Sequence, residues 1–262
     1  MHIAELHFTS REPAVGDAQS NAVQALLTAY YKSGQTASCD PLLGQTQDGF
    51  VAVVRIPEQD ALVARHDNVL VRSARLVIRG AGVNVPTSRV LGHEPDTRPP
   101  CGCRTRPFLF LYTSCLHVEP AVRCGACGRP VSFYRLPPTN AEGNFQDLLR
   151  WVERYQSLDH LALGFGSAAG QRVGQAELSQ HDSLLSDEGR DLARVLEQKT
   201  SVPVYYALLK QHARSAKTER RRRCPSCGGE WLRADPLHGM FDFQCEPCRL
   251  LGNIAFSLRP GA

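Results

Sequence analysis

The sequence predicts an α+β protein, with an N-terminal α/β sandwich, a cysteine-rich insertion, a second α/β portion and a C-terminal ribbon held by cysteines. Helix-like and strand-like periodicities alternate along the chain, and eight of the ten cysteines fall into four closely spaced pairs. The chain has 262 residues, of which 42% are hydrophobic, and this is enough for more than one buried core.

Residues 1–95 are predicted to form the N-terminal α/β domain. Residues 2–8 and 49–56 have strand patterns, and residues 18–31 place Leu26, Leu27 and Tyr30 near one face of a helix. We expect a short helix from Pro57 to Arg65 and a third strand over the β-branched residues 69–78.

Three further segments are predicted after this domain. Residues 96–140 form a cysteine-rich segment that the proline-rich residues 93–100 connect to the first domain. Residues 141–215 form a helical α/β portion, with helices over residues 144–155 and 186–198 and a strand over residues 202–209. Residues 216–262 form the terminal ribbon.

The terminal ribbon contains two CxxC pairs separated by seventeen residues, and its predicted ligands are Cys224, Cys227, Cys245 and Cys248. Each pair can form a tight knuckle with a β-hairpin between them, so that four thiolates surround one zinc ion. Four cysteine ligands leave no open coordination position, which predicts a structural ion and not a catalytic one.

A second cysteine cluster lies in the middle of the chain, where Cys101 and Cys103 form CxC and Cys124 and Cys127 form CxxC. These four residues predict a second zinc site, with buried thiols or a degraded site as the open alternative. Cys115 is expected to be a buried free thiol or a substitute ligand. Cys39 is isolated and is expected to be inert.

Several short motifs resemble those of enzymes. His117-Val118-Glu119 matches the HxE of zinc nucleobase deaminases, but only four residues separate Glu119 from Cys124, too few for the helix that such sites require. Cys115 and His117 are two residues apart on an expected strand, a spacing that often occurs by chance. The glycines between residues 164 and 174 match no phosphate-binding motif and indicate turns. We therefore expect no enzymatic activity.

The net charge is only +4, but it is unevenly distributed, since residues 210–262 contain ten Lys and Arg against five Asp and Glu. The residues predicted to contact nucleic acid are Lys217, Arg220, Arg221, Arg222, Arg223 and Trp231. Arginines can contact phosphates, and Trp231 with Phe241 and Phe243 can stack on unpaired bases. The alternative is that the arginines form a solvated linker and the aromatic residues form the core of the ribbon.

The N-terminal residues contain neither a basic start followed by an apolar stretch nor a cleavage site of small residues, and no apolar run reaches the length of a membrane span. We therefore expect a soluble, cytoplasmic protein without a membrane partner. Its thiols then stay reduced and are available for metal.

Two stretches carry a family resemblance, ERRRRCPSCGG with FDFQCEPCRLLGNIAF, and LYTSCLHVEPAVRCGACGRPVSFYRLP. They resemble an uncharacterised bacterial family described as containing zinc ribbons and as a candidate for binding nucleic acid. The resemblance implies zinc at both cysteine clusters. The arginines at 220–223 favour a zinc-stabilised nucleic-acid-binding protein. The large part of the chain outside the basic tail favours the alternative, a protein-interaction module, for example a toxin-neutralising immunity protein or an assembly factor. A hydrolase or transferase whose site the sequence hides is the third hypothesis.

Overall fold

The computed structural model describes residues 1–11, 16–38 and 40–259, and it confirms the α+β class. Cys39 lies outside the described residues. The chain divides into two compact units. The first consists of Met1–Pro100, Val118–Pro120 and Pro130–Leu149, and the second of Cys101–His117, Ala121–Arg129 and Arg150–Ala262.

The first unit is built around a four-stranded antiparallel sheet in the order β2-β3-β1-β4. Its elements are β1 His2–Thr9, α1 Asp17–Lys32, β2 Leu42–Thr46, β3 Gly49–Ile56, α2 Val69–Gly80 and β4 Thr87–His93. This sequence of elements and this strand order are those of the ferredoxin-like β-α-β-β-α-β motif. The predicted strands at residues 2–8 and 49–56 and the predicted helix at residues 18–31 are all present.

The core of the first unit lies between one face of this sheet and the two helices. In β1, Ala4, Leu6 and Phe8 alternate with more exposed residues, as expected for a strand with one covered face. Leu26 and Tyr30 of α1 are buried in the same cluster.

The prediction of a third strand at residues 69–78 was wrong, because these residues form α2. Its buried positions Val71, Ala74 and Ile78 have helical spacing, and the side chain of Asn68 caps the helix by accepting the Val71 N–H at 3.0 Å. The β-branched residues that suggested a strand do not outweigh this cap and the burial of one face. The predicted helix from Pro57 to Arg65 is reduced to a 3₁₀ turn at Ala64–His66.

The second unit contains a six-stranded sheet in the order β6-β5-β7-β10-β9-β8. Its strands are β5 Leu109–Leu111, β6 Val122–Cys124, β7 Val204–Leu208, β8 Leu232–Leu237, β9 Phe241–Cys245 and β10 Leu250–Gly252. Strand β7 is parallel to both of its neighbours, and the remaining pairs are antiparallel. All five residues of β7 are buried, which agrees with its central place and confirms the strand predicted at residues 202–209.

Four helices complete the fold, namely α3 Gln146–Ala162, α4 Ala168–Ser179, α5 Leu184–Thr200 and α6 Ala216–Arg220. The boundary between the two units falls within α3, after Leu149. Helices were predicted at α3 and α5, but each is longer than expected, and Ser183 rather than Ser186 caps α5. Gly164 lies in a turn, as predicted, but Gly170 and Gly174 lie inside α4, so the prediction was wrong for these two residues.

The sheet of the second unit curls, so that strands from separate parts of the order meet across one face. Phe241 in β9 packs edge-to-face against Phe110 in β5, with ring centroids 5.4 Å apart, and against Tyr112 at 5.7 Å. The β8–β9 hairpin of the ribbon therefore contacts the central cysteine-rich segment through side-chain packing, although β7 and β10 separate them in the strand order.

Within the described ranges, every helix is too short or too polar to traverse a lipid bilayer.

Candidate metal centres

Two groups of four cysteines are assembled in the second unit. The central group is Cys101, Cys103, Cys124 and Cys127, and the C-terminal group is Cys224, Cys227, Cys245 and Cys248. In each group, all four Sγ atoms lie within 4.8 Å of one another. A tetrahedron of sulfurs around a metal at about 2.3 Å has edges of about 3.8 Å, and the Cys227 and Cys245 Sγ atoms are 3.7 Å apart. Each group therefore fits one metal ion.

Secondary structure positions the C-terminal group. Cys224 and Cys227 lie in the turn before β8, Cys245 is the last residue of β9, and Cys248 lies just before β10. The Cys224 N–H donates to the Gly229 carbonyl, and the Gly228 N–H donates to the Cys224 carbonyl, both at 2.9 Å. Gly228 has φ +71°, which glycine adopts without strain.

The CxxC half of the central group repeats this local geometry. The Cys124 N–H donates to the Arg129 carbonyl at 3.0 Å, the Gly128 N–H donates to the Cys124 carbonyl at 2.7 Å, and Gly128 has φ +69°. We call each of these turns a knuckle. The two knuckles match, although one ends a strand that pairs with β5 and the other precedes the ribbon hairpin.

The CxC half of the central group is more compact. Cys101 and Cys103 lie in a segment without regular secondary structure, and the Cys103 N–H donates to the Cys101 Sγ at 3.4 Å. Burial by itself would raise the pKa of Cys101, but hydrogen bonds from Arg106 and from the Cys103 backbone outweigh it and lower that pKa to about 7. A thiol that ionises readily is suited to bind metal.

The C-terminal group also contains one thiol with a low pKa. Cys227 is exposed, and the Gly229 N–H together with the neighbouring thiols lowers its pKa to about 7. Burial raises the pKa of Cys245, which lies in the sheet. The group therefore combines a solvent-facing sulfur with buried ones, and a metal must displace protons from the buried thiols as it binds.

The arginines before the first knuckle of the ribbon differ in their surroundings. Arg220 ends α6, and its side chain is exposed, as are those of Arg221 and Arg223. Arg223 forms an ion pair with Glu230 at 2.9 Å. We call the exposed arginines 220, 221 and 223 the arginine patch. It lines a surface groove with a volume of about 460 Å³. Lys217, in α6, is also exposed.

Arg222 also borders this groove, but its side chain packs into the ribbon core. Its guanidinium lies 5.2 Å from the centroid of the Trp231 ring and 4.7 Å from that of Phe243, and it donates to the Asn253 carbonyl at 2.8 Å. Trp231 is only 3% exposed, and its Nε1–H donates to the Arg222 carbonyl at 2.9 Å. Arg222 and Trp231 hold each other in place through the cation–π contact and the hydrogen bond. We therefore assign them a structural role and remove them from the predicted nucleic-acid contacts.

The other predicted aromatic contacts are also buried. Phe241 is 1% exposed and Phe243 is fully buried, so neither ring offers a face to an unpaired base. The alternative interpretation of these side chains, that they form the core of the ribbon, agrees with their packing.

Cys115 and His117 lie in the turn after β5 and not on the strand itself. The Cys115 N–H donates to Asp159 Oδ2 at 2.9 Å. Burial is the largest factor that raises the pKa of the Cys115 thiol, and the charge of the nearby Asp159 carboxylate raises it further. An activated nucleophile requires a shift in the opposite direction.

Comparison with known proteins places the chain among bacterial relatives. A protein of Haemophilus influenzae titled "Uncharacterized protein" is 30% identical over 263 residues, which cover 98% of this chain and 99% of that protein. The chain belongs to that protein's family. The predicted membership in a family of uncharacterised bacterial proteins is thereby confirmed. A second protein of the same organism, with the same title, is 35% identical over 147 residues, or 56% of this chain and 71% of that protein.

Three family models match consecutive parts of the chain, and each is described as a domain of unknown function. They cover residues 1–92 (DUF8589), residues 103–209 (DUF2310) and residues 213–258 (DUF8594). No solved structure matches the chain significantly.

Two residues near the cysteine groups were missed by the sequence analysis. His238, in the turn between β8 and β9, donates through Nε2–H to the carbonyl of Gly125 in the central knuckle at 3.0 Å. Arg249 follows Cys248 and has φ +53°. The second could have been found from the sequence, because a glycine follows the second cysteine in both other CxxC pairs, CGACG and CPSCG, whereas CEPCR has an arginine there.

Proposed function

We propose that this protein is a non-enzymatic, zinc-binding protein that binds nucleic acid through the arginine patch. Zinc is the metal we assign to both groups, because four thiolates in a compact tetrahedral arrangement are the ligand set that structural zinc sites use. The four sulfurs leave no coordination position for a substrate, so we assign the ion a structural role.

The observation that carries the nucleic-acid proposal is the groove lined by Arg220, Arg221 and Arg223 at the edge of the ribbon. Among the described residues, the side chains of Arg220 and Arg221 take part in no ion pair or hydrogen bond, so their charges are available to phosphates. The neighbouring Arg222 is anchored between Trp231 and Phe243. It therefore supports the backbone from which the patch projects.

The surroundings of the patch add to its positive charge. Residues 210–223 contain seven Lys and Arg and a single acidic residue, Glu219. Glu219 is buried and already accepts a contact from Lys210 Nζ at 2.5 Å. Lys217 and Arg214, which precede the patch in the sequence, are also exposed and add positive charge to this segment.

The buried aromatic rings favour one mode of binding. Because Trp231, Phe241 and Phe243 are enclosed, we expect contacts with phosphates and not stacking on bases. Binding should then depend little on sequence. With three or four phosphate contacts, log Kobs for duplex DNA should fall against log[salt] with a slope of about −3 to −4.

The test is a salt series of binding measurements with zinc-loaded full-length protein and 20-nucleotide single-stranded and duplex DNA and RNA. The test variant combines Arg220→Ala, Arg221→Ala and Arg223→Ala. The matched control combines Arg150→Ala, Arg172→Ala and Arg194→Ala, which removes the same charge from exposed positions on α3, α4 and α5. We expect the test variant to lose binding and the control to retain most of it. Absence of binding by the parent protein at low salt, or equal losses in both variants, would reject the proposal.

A protein-interaction role is the second candidate, and one observation favours it. Helix α2 of the first unit exposes three apolar side chains, with Val69 and Leu76 each 67% exposed and Val77 56% exposed. A protein partner that covers them should be lost in Leu76→Glu, which changes only an exposed position. Crosslinking in cells, read by mass spectrometry, would detect that loss, and an unchanged pattern of crosslinks would reject this candidate.

A further inference from the structure

We infer that the two cysteine groups bind metal cooperatively, through the turn at His238 that joins the hairpin of the C-terminal group to the knuckle of the central group. This inference rests on the proposed binding of metal to both groups and is independent of nucleic-acid binding. His238 lies 113 positions from Gly125 in the sequence and belongs to neither cysteine group.

His238 contacts the central knuckle directly. A carbonyl oxygen can only accept, so the His238 ring carries its proton on Nε2 when it bonds to Gly125. The same ring covers Gly128, where an added Cβ would lie 3.0 Å from His238 Cγ. Gly125 and Gly128 flank Cys127 on both sides, so the ring contacts the central knuckle at two places.

His238 is also connected to the C-terminal group, through the β8–β9 hairpin. The Met240 N–H donates to the Leu237 carbonyl at 3.0 Å and closes a β-turn with His238 and Gly239 at its centre. Strand β9 starts immediately after this turn and ends at Cys245, a member of the C-terminal group. A metal that orders the hairpin therefore also fixes the position of the His238 ring.

Aromatic side chains of the sheet provide a parallel contact between the two groups. Phe110 stacks on His238, with ring centroids 5.9 Å apart, and contacts Phe241 at 5.4 Å. Strand β5, which contains Leu109 and Phe110, pairs with β6, and Leu109 is opposite Cys124 of β6. The hairpin of one group and a ligand of the other are thus held by the same aromatic cluster.

Cooperativity follows from these contacts. Without metal, fewer interactions hold the backbone of a cysteine group in place. The residues on both sides of the His238 contact then become mobile. Metal at one group orders one side of the contact and so lowers the cost of ordering the other side. Thermodynamic linkage requires the effect to be equal in both directions.

The test measures how tightly each group holds zinc when the other group is intact or broken. Zinc-loaded protein is exposed to increasing chelator and then alkylated, and peptide mass spectrometry reads which cysteines have lost protection. The C-terminal group is compared in the parent chain and in Cys103→Ser, and the central group in the parent chain and in Cys227→Ser. When one group is broken, we expect the chelator concentration at which the intact group loses half of its zinc to fall about 5-fold, a factor that one ordinary hydrogen bond supports. We call this factor, the midpoint in the parent chain divided by that in the variant, the coupling ratio.

The key variant is His238→Asn. Both central residues of the turn have positive φ, 52° for His238 and 69° for Gly239, and Asn-Gly is the pair preferred in such turns. This variant keeps the hairpin and removes the ring from the central knuckle. In the His238→Asn background, breaking one group should leave the chelator midpoint of the other unchanged, a coupling ratio of about 1. His212→Asn, a matched control at an exposed histidine, should keep the parent ratio.

Each outcome is decisive. A ratio near 1 in the parent chain, or a ratio in His238→Asn equal to that of the parent, would overturn the coupling. Alkylation of both groups at zero chelator would show that zinc is not held at all, and this would reject the zinc part of the proposed function instead.

Discussion

At position 249, an arginine adopts a backbone conformation that the other two CxxC turns assign to glycine. Arg249 has φ +53°, compared with +69° for Gly128 and +71° for Gly228. A side chain in this region costs about 1 kcal/mol or more. The Arg249 side chain offsets this cost, because its Nε and Nη2 atoms lie 3.2 Å from carboxylate oxygens of Glu197 on α5. The arginine thereby ties the second ribbon turn to a helix.

This arrangement predicts an order of stability among substitutions at position 249. Arg249→Ala loses the ion pair and keeps the strained backbone, whereas Arg249→Gly loses the ion pair and relieves the strain. We expect Arg249→Ala to be less stable than Arg249→Gly by about 1 kcal/mol. Urea unfolding of the zinc-loaded proteins measures the difference.

Glu197→Gln serves as the control for that prediction, because it weakens the ion pair without altering the backbone at Arg249. It should be more stable than Arg249→Ala. If Arg249→Gly proves the least stable of the three, the greater freedom of glycine in the unfolded chain outweighs the relief of backbone strain, and our account of this position is wrong.

At the scale of elements, α4 shows why glycines inside a helix need separate explanations. Gly174 faces α3 so closely that an added Cβ would lie 2.4 Å from the Leu158 carbonyl oxygen and 2.7 Å from the Ala162 nitrogen. These are backbone atoms of a neighbouring helix and cannot move aside cheaply. At Gly170, on the same helix, the nearest atom is a flexible Leu161 methyl carbon at 3.3 Å.

We therefore expect Gly174→Ala and Gly170→Ala to have effects of opposite sign. Gly174→Ala should destabilise the protein by about 1 to 3 kcal/mol, since overpacking outweighs the gain in helix propensity. Gly170→Ala should be neutral or stabilising by up to about 1 kcal/mol. Thermal unfolding of both variants beside the parent protein tests this, and similar shifts in Tm would show that α3 and α4 are not packed this closely.

At the scale of the whole molecule, the apolar cluster around the β1–β4 sheet lies within the first unit, and both cysteine groups belong to the second unit. The first unit relies on apolar burial between its sheet and helices, without a cysteine group among its described residues. Loss of metal should therefore affect the two units unequally.

Cys227→Ser tests this inequality. A structural zinc supplies roughly 10 kcal/mol to the folding of a small zinc domain, so loss of one ligand should loosen the ribbon and release one zinc. Amide hydrogen exchange should rise at least about tenfold in β9 and β10 and stay unchanged in β1 and β3, which lie in the first unit.

Cys115→Ser is the matched control for that experiment, because it makes the same chemical change at a cysteine outside both groups. It should leave the zinc content and the exchange pattern close to those of the parent protein. Loss of protection throughout β1 and β3 in Cys227→Ser would show that the two units unfold together.

Features encoded over a short stretch of chain were predictable from the sequence. The spacing of cysteines in CxC and CxxC is local, and so is the amphipathic pattern of α1, α3 and α5, so both cysteine clusters and these helices were identified in advance. The boundaries were less accurate, because α5 extends past Gln198 to Thr200 and α3 past Tyr155 to Ala162.

Features that depend on burial by distant residues required the tertiary structure. Residues 69–78 have strand-like composition, yet packing of Val71 and Ile78 against the sheet makes them helical. Arg222 looks like its neighbours in the sequence, and only its position between Trp231 and Phe243 separates it from the patch. The contact between His238 and Gly125 joins residues more than a hundred positions apart. Local periodicity carries no information about such partners, because the chain must fold before they meet.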